Sequence, residues 1–78
     1  MKIGIRVMPK PEVLDSQGRA VEKTLSHHGK TVDSCRVGRF VELEISESDK
    51  NRAMAKAQEI AEFVLYNPLT EVYEIEFL

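Results

Sequence analysis

The chain has 78 residues, 11 basic and 13 acidic side chains, a net charge of −2 and one cysteine, which leaves room for one domain, residues 1–78, and none for two. A chain this short buries only about three-fifths of its unfolded surface, and Cys35 alone builds no disulfide framework, so partner surface is expected on energetic grounds. The balanced charge lacks the basic excess of nucleic-acid binders, and no stretch has membrane-spanning length or the form of an export signal, so no nucleic-acid partner, no membrane and a cytoplasmic location are expected.

From the N-terminus, Ile3, Ile5 and Val7 alternate with Lys2, Gly4, Arg6 and Met8, the period-two pattern of a strand with one buried face, and Pro9 ends it. The run PKPEVLD cannot continue a ladder, because proline lacks the amide hydrogen. Asp15 then caps a helix, its carboxylate accepting from amides two or three residues on. Ala20, Val21, Thr24, Leu25 and His28 recur on one side of that helix, Arg19, Glu22, Lys23 and Ser26 on the other, and Gly29 supplies the stop.

Thr31 to Ile45 is rich in β-branched and apolar residues, but one strand of that length would span about 50 Å at 3.3 Å per residue, more than the domain can cover. With Gly38 and Arg39 as a tight turn, the run reads as a hairpin of two strands, Thr31 to Val37 and Phe40 to Ile45. Ser46 or Ser48 is the expected cap of a second helix, with Glu47 and Asp49 favoured at its positive end. Ala53, Met54, Ala57, Ile60, Ala61, Val64 and Leu65 form its apolar stripe, in which the small alanines permit a close approach to a sheet. Asn67 and Pro68 end it, and Glu71 to Leu78 alternates again as a closing strand.

The order β-α-β-β-α-β predicts an α+β fold of the ferredoxin-like kind, an antiparallel sheet with two helices on one face. Its open face would show Lys2, Arg6, Glu42, Glu44, Glu74 and Glu76 beside Met8, Phe40 and Val72, a mixture suited to a protein contact. No catalytic, cofactor or metal site is expected. His27 and His28 diverge by about 100 degrees on a helix and cannot chelate one ion. Cys35 has no aligned base, Gly18 in QGR belongs to no phosphate loop and reads as a close-packing position, and Phe40 alone makes no base-stacking platform. A small-molecule-sensing regulatory domain of the ACT type shares this element order and stands as the alternative.

Taken together, MPKPEVLDSQGRAVEKTL, CRVGRFVELEI and NPLTEVYEIEFL resemble the PurS family over nearly the whole chain. Ser16 stands where members often have proline. The resemblance implies a PurS-like fold and a non-catalytic small subunit of phosphoribosylformylglycinamidine (FGAM) synthase, an ATP- and glutamine-dependent carbon–nitrogen ligase of purine biosynthesis. It implies a PurL synthetase and a PurQ glutaminase as partners, a homodimer or higher homo-oligomer, and a role in bridging the two and assisting ammonia transfer. ATP, magnesium and glutamine would be used by the assembled enzyme, with no cofactor on this chain. Placed on the matching motifs, Lys10, Glu12, Arg36, Gly38 and Arg39 are the expected subunit contacts, with Asp15, Gly18 and Pro68 structural. Alanine at Lys10 or Arg39 is expected to leave the fold intact and to weaken complex formation.

Overall fold

The computed structural model describes residues 1–78. Three strands, β1 (Lys2–Pro9), β2 (Arg39–Glu44) and β3 (Glu71–Phe77), form an antiparallel sheet in the order β2-β1-β3. Helix α1 (Ser16–His27) follows β1, and α2 (Lys50–Ile60) follows β2 and runs into a π-helical turn, Ala61–Leu65. Every connection between adjacent strands passes through a helix or a long loop, yet all pairings are antiparallel: Ile5 faces Val41 on one side and Ile75 on the other.

Alternation in β1 sets the layers. Ile3, Ile5 and Val7 are fully buried and meet Ala53, Ala57 and Ala61 of the second helical segment, with Val41, Leu43, Tyr73 and Ile75 completing the layer from the flanking strands. Alanine at all three fully buried positions of this segment lets the helix axis lie close to the sheet, as the stripe predicts. On the other face Gly4 has no side chain, and the Phe40 ring and Leu78 lie over the space: a Cβ on Gly4 would come within 2.4 Å of Phe40 Cζ. Arg6 reaches Glu76 at 3.0 Å and Glu74 at 3.7 Å on this face and sits 5.9 Å from the Phe40 ring centre.

The antiparallel α+β class stands as expected, with four local departures. First, Thr31–Val37 forms no strand, and Gly38–Arg39 is no hairpin turn. The amides of Cys35 and Val37 donate instead to the Glu22 and Asp15 carboxylates, at 2.7 and 2.8 Å, so this segment is tied to α1 rather than to a ladder. Second, only the α2 segment covers the sheet. No α1 side chain joins the core, Ala20, Val21, Thr24 and His28 are exposed, and Gly18 is the helix's single buried residue. The molecule is accordingly long, 48 × 25 × 16 Å, with a radius of gyration of 15.7 Å against about 11.5 Å for a compact chain of this length.

Third, Asp49 caps α2, accepting from the Asn51 amide, while neither Ser46 nor Ser48 does. Fourth, the wider π turn rotates the end of the stripe. Leu65 keeps its contact with the core, while Val64 is 66% exposed and Phe63 points to solvent. The end of α1 follows the sequence closely: Gly29, at φ +73°, donates to Ser26 and Lys30 donates to Leu25, the paired bonds of a Schellman stop.

Candidate interaction surface

One end of the sheet gathers three loops that lie far apart in sequence. The turn after β1, the Val37–Gly38 passage into β2 and the Asn67–Thr70 turn before β3 surround a cleft of ≈ 550 Å³ lined by Pro9, Leu14, Asp15, Gly38, Arg39 and Glu71 among others. The turns are built locally. Asn67 accepts from the Leu69 amide through its side chain and from Thr70 and Glu71 through its carbonyl, with Pro68 between them, and the Lys10 amide then closes on Thr70.

Asp15 links two of these loops. One oxygen accepts from Gly18 at 2.8 Å as a helix cap, the other from Val37 at 2.8 Å. Those two amides, and secondarily the charge of Arg36, hold its carboxyl below the ordinary 3.8. Gly18 has to be glycine here, since a Cβ would stand 2.3 Å from the Cys35 carbonyl oxygen. Gly38 is constrained in the same way. A Cβ there would meet the Val7 carbonyl oxygen at 2.2 Å, so the chain passes the end of β1 only without a side chain.

Arg39 spans the sheet. Val7 lies between Arg39 and Tyr73 in the register, and the guanidinium reaches across β1 to Glu71 with a two-pronged pair at 2.7 and 2.9 Å. The same group donates to the Leu65 carbonyl at 2.5 Å, where the π turn ends. Glu71 also accepts from the Asn67 amide at 2.8 Å. Its carboxyl is held below the ordinary 4.5, first by the Arg39 hydrogen bond and then by that amide, and Arg39 is correspondingly harder to deprotonate. Nearby, Tyr73 is pushed above 10.0 by burial and by Glu62, to which its hydroxyl donates at 3.3 Å, and its ring stands edge-on to Tyr66.

The expected contact residues therefore share one region in different states. Lys10 is half-buried and Glu12 exposed, both at the turn after β1. Arg36 donates to the Pro9 carbonyl. Gly38 and Arg39 are engaged within the chain, and Arg39→Ala would remove the guanidinium from both Glu71 and the Leu65 carbonyl, a stability cost the sequence does not announce. Sequence reading passed over Glu22 and Glu71. Glu22 sits on the polar side of its helix and nothing local marks its amide partner, while Glu71 is marked only once β1 is known to lie between β2 and β3.

These features define a class: a small α+β domain with one helical segment on an antiparallel sheet, an arm outside the core, and loop surfaces joined by hydrogen bonds and one ion pair. No grouping of three or more His, Cys, Asp or Glu side chains is placed to hold a metal ion, and no helix is long and apolar enough to cross a membrane. The family described as PurS: phosphoribosylformylglycinamidine (FGAM) synthase matches residues 2–78. The Bacillus subtilis FGAM synthase subunit PurS is 36% identical over 78 residues, covering 96% of this chain and 89% of its own. The purS subunit structure from Thermotoga maritima is 31% identical with a TM-score of 0.91, over 99% of this chain and 90% of that one. A structure of PurLQS from Thermotoga maritima aligns equally well, at a TM-score of 0.91 and 31% identity, over 99% and 95% of the two chains. The chain belongs to the PurS family of FGAM synthase subunits, part of a ligase of purine biosynthesis.

Proposed function

We propose that this chain is the non-catalytic subunit that joins a PurQ-type glutaminase to a PurL-type synthetase in FGAM synthase and assists the passage of ammonia between them. The observation that carries the reading is the state of its ionisable groups. Asp15, Arg39 and Glu71, which line the cleft, are each occupied by partners within the chain. A carboxylate whose lone pairs already accept from amides or a guanidinium has lowered proton affinity and suits positioning better than proton transfer. Family membership and the likeness to a chain within PurLQS support the same reading.

On this reading ATP, magnesium and glutamine are bound by the other subunits, the chain works in the cytoplasm as a homodimer or higher homo-oligomer, and Lys10, Glu12 and Arg36 contribute side chains to subunit contacts at the loop end of the sheet. The test measures binding to PurL and PurQ from the same genome together with thermal stability in amino acids and nucleotides. Partner-dependent stabilisation, weakened in Lys10→Ala without loss of fold, is the expected result. Stabilisation by a free amino acid or nucleotide, with no response to either protein, would replace the bridging role with a sensing one.

A further inference from the structure

Nothing in the local sequence asks the second helical segment to widen at its end. From Lys50 to Tyr66 there is no glycine or proline, and the apolar stripe keeps its three- and four-residue spacing through Ile60, Ala61, Val64 and Leu65. The chain nevertheless turns as a π-helix from Ala61 to Leu65, which places one extra residue in the circuit. Each later side chain is carried back by about 100 degrees relative to a continuous α-helix. The directions that an α-helix would give to Val64 and Leu65 fall to Leu65 and Tyr66, and these two pack against the core while Val64 is turned out beside Phe63. Side chains of the sheet hold this form. Arg39 of β2 donates to the Leu65 carbonyl, one of the orphan acceptors of the helix end, at 2.5 Å. Tyr73 of β3 donates through its hydroxyl to Glu62 at 3.3 Å, and its ring meets Tyr66 edge-on with centroids 4.7 Å apart. A return to α geometry would turn Tyr66 off Tyr73 and shift the Leu65 carbonyl, in exchange for burial of Val64.

We infer that Ala61–Leu65 is a switch between two helical registers, held wide by Arg39 and by the Tyr73–Glu62 bond, and rewinding to α-helix when they let go, with Val64 replacing Tyr66 on the sheet. Each register has its own gain. The wide form has the Arg39 cap and the tyrosine pair, and the narrow form has a buried valine and regular four-residue hydrogen bonds. An element with two competing packings is one whose balance a small local change tips. Arg39 is where such a change enters, because the same side chain lines the cleft at the loop end of the sheet. A carboxylate that drew the guanidinium into the cleft would remove the Leu65 cap, and Val64 would leave the surface. Occupation of the cleft and the apolar surface at Phe63 and Val64 are connected through one guanidinium. The sheet core takes no part in the change, since Ala53, Ala57 and Ala61, which meet Ile3, Ile5 and Val7, all lie before the register shift.

The switch is independent of the bridging role, and the chain without the other subunits tests it. Tyr66 and Tyr73 are its only tyrosines and it has no tryptophan, so near-ultraviolet circular dichroism reports chiefly on this pair. A soluble paramagnetic cosolute reads the exposure of the Val64 methyls, and relaxation dispersion on the wild type reads exchange at Val64, Leu65 and Tyr66. The variants are Arg39→Ala, Glu62→Ala and the two combined, all of which keep both tyrosines. The wild type should show exposed Val64 methyls and exchange at Val64, Leu65 and Tyr66, with Ala53 and Ala57 flat. In the double variant, with far-ultraviolet circular dichroism retained, cosolute broadening at Val64 should fall about three-fold and the tyrosine signal to about half, as the population moves to the narrow register. Val64 as exposed in the folded double variant as in the wild type overturns the switch and makes the wide turn a fixed feature. If the double variant does not fold, the wild-type exchange decides: its presence at those three residues supports the switch, and flat dispersion at all five overturns it.

Discussion

Arg39→Ala removes the tie that joins both outer strands to the end of the π turn. The guanidinium makes three hydrogen bonds, two to Glu71 and one to Leu65. A hydrogen bond to a charged group contributes about 1.5–3 kcal/mol when shielded, but the Arg39 side chain is 49% exposed and Glu71 19%, and solvent screening reduces exposed pairs to about 0.2–1 kcal/mol. A total near 1.5 kcal/mol is the resulting expectation, or about 6–12 °C in Tm for a domain of this size. Chemical denaturation of wild type, Arg39→Ala, Glu71→Gln and the double variant measures it, and the cycle should return a coupling of about 1 kcal/mol. Because the folded-state pKa of Glu71 is depressed, its contribution is fully present above the unfolded value near 4.5 and is lost as pH falls through the folded value. The Arg39→Ala deficit should therefore be complete at neutral pH and shrink below about pH 4. Coupling within experimental error of zero, or a deficit that does not change with acidification, would refute the account of this network.

Two further substitutions address the arm and the passage into β2. Gly38→Ala forces a methyl against the Val7 carbonyl, a backbone atom with little freedom to yield, so it should lower Tm by more than Gly29→Ala, which meets no neighbouring atom and costs only the left-handed strain of about 1–2 kcal/mol. Asp15→Ala should speed amide exchange at Gly18 and Val37 while leaving Ile3 and Ile5 protected, because the arm hangs on this carboxylate and the sheet core does not.

What the sequence made legible is whatever rests on local chemistry. Ile3, Ile5 and Val7 announce a half-buried strand, the alanines of α2 announce close packing, and Asp15, Gly18 and Gly29 mark a helix with its cap, a tight contact and its stop. What it concealed depends on neighbours distant in sequence. Thr31–Val37 has strand-like composition, but composition does not reveal that its amides are taken by Glu22 and Asp15. The α1 stripe predicts burial, yet Ala20, Val21, Thr24 and His28 are exposed because α1 lies off the sheet that holds the core. Val64 fits the stripe at 3.6 residues per turn and leaves it only because the helix widens after Ile60. In the candidate surface, Arg39 and Glu71 are 32 residues apart, and their meeting follows from β1 lying between their strands.

Glutamine-dependent FGAM synthesis by PurL and PurQ from the same genome, assayed with and without this chain, tests the bridging role most directly. The account predicts that activity and the assembled complex both require the chain, with no turnover by the chain alone. Full glutamine-dependent activity and assembly in its absence would contradict the account.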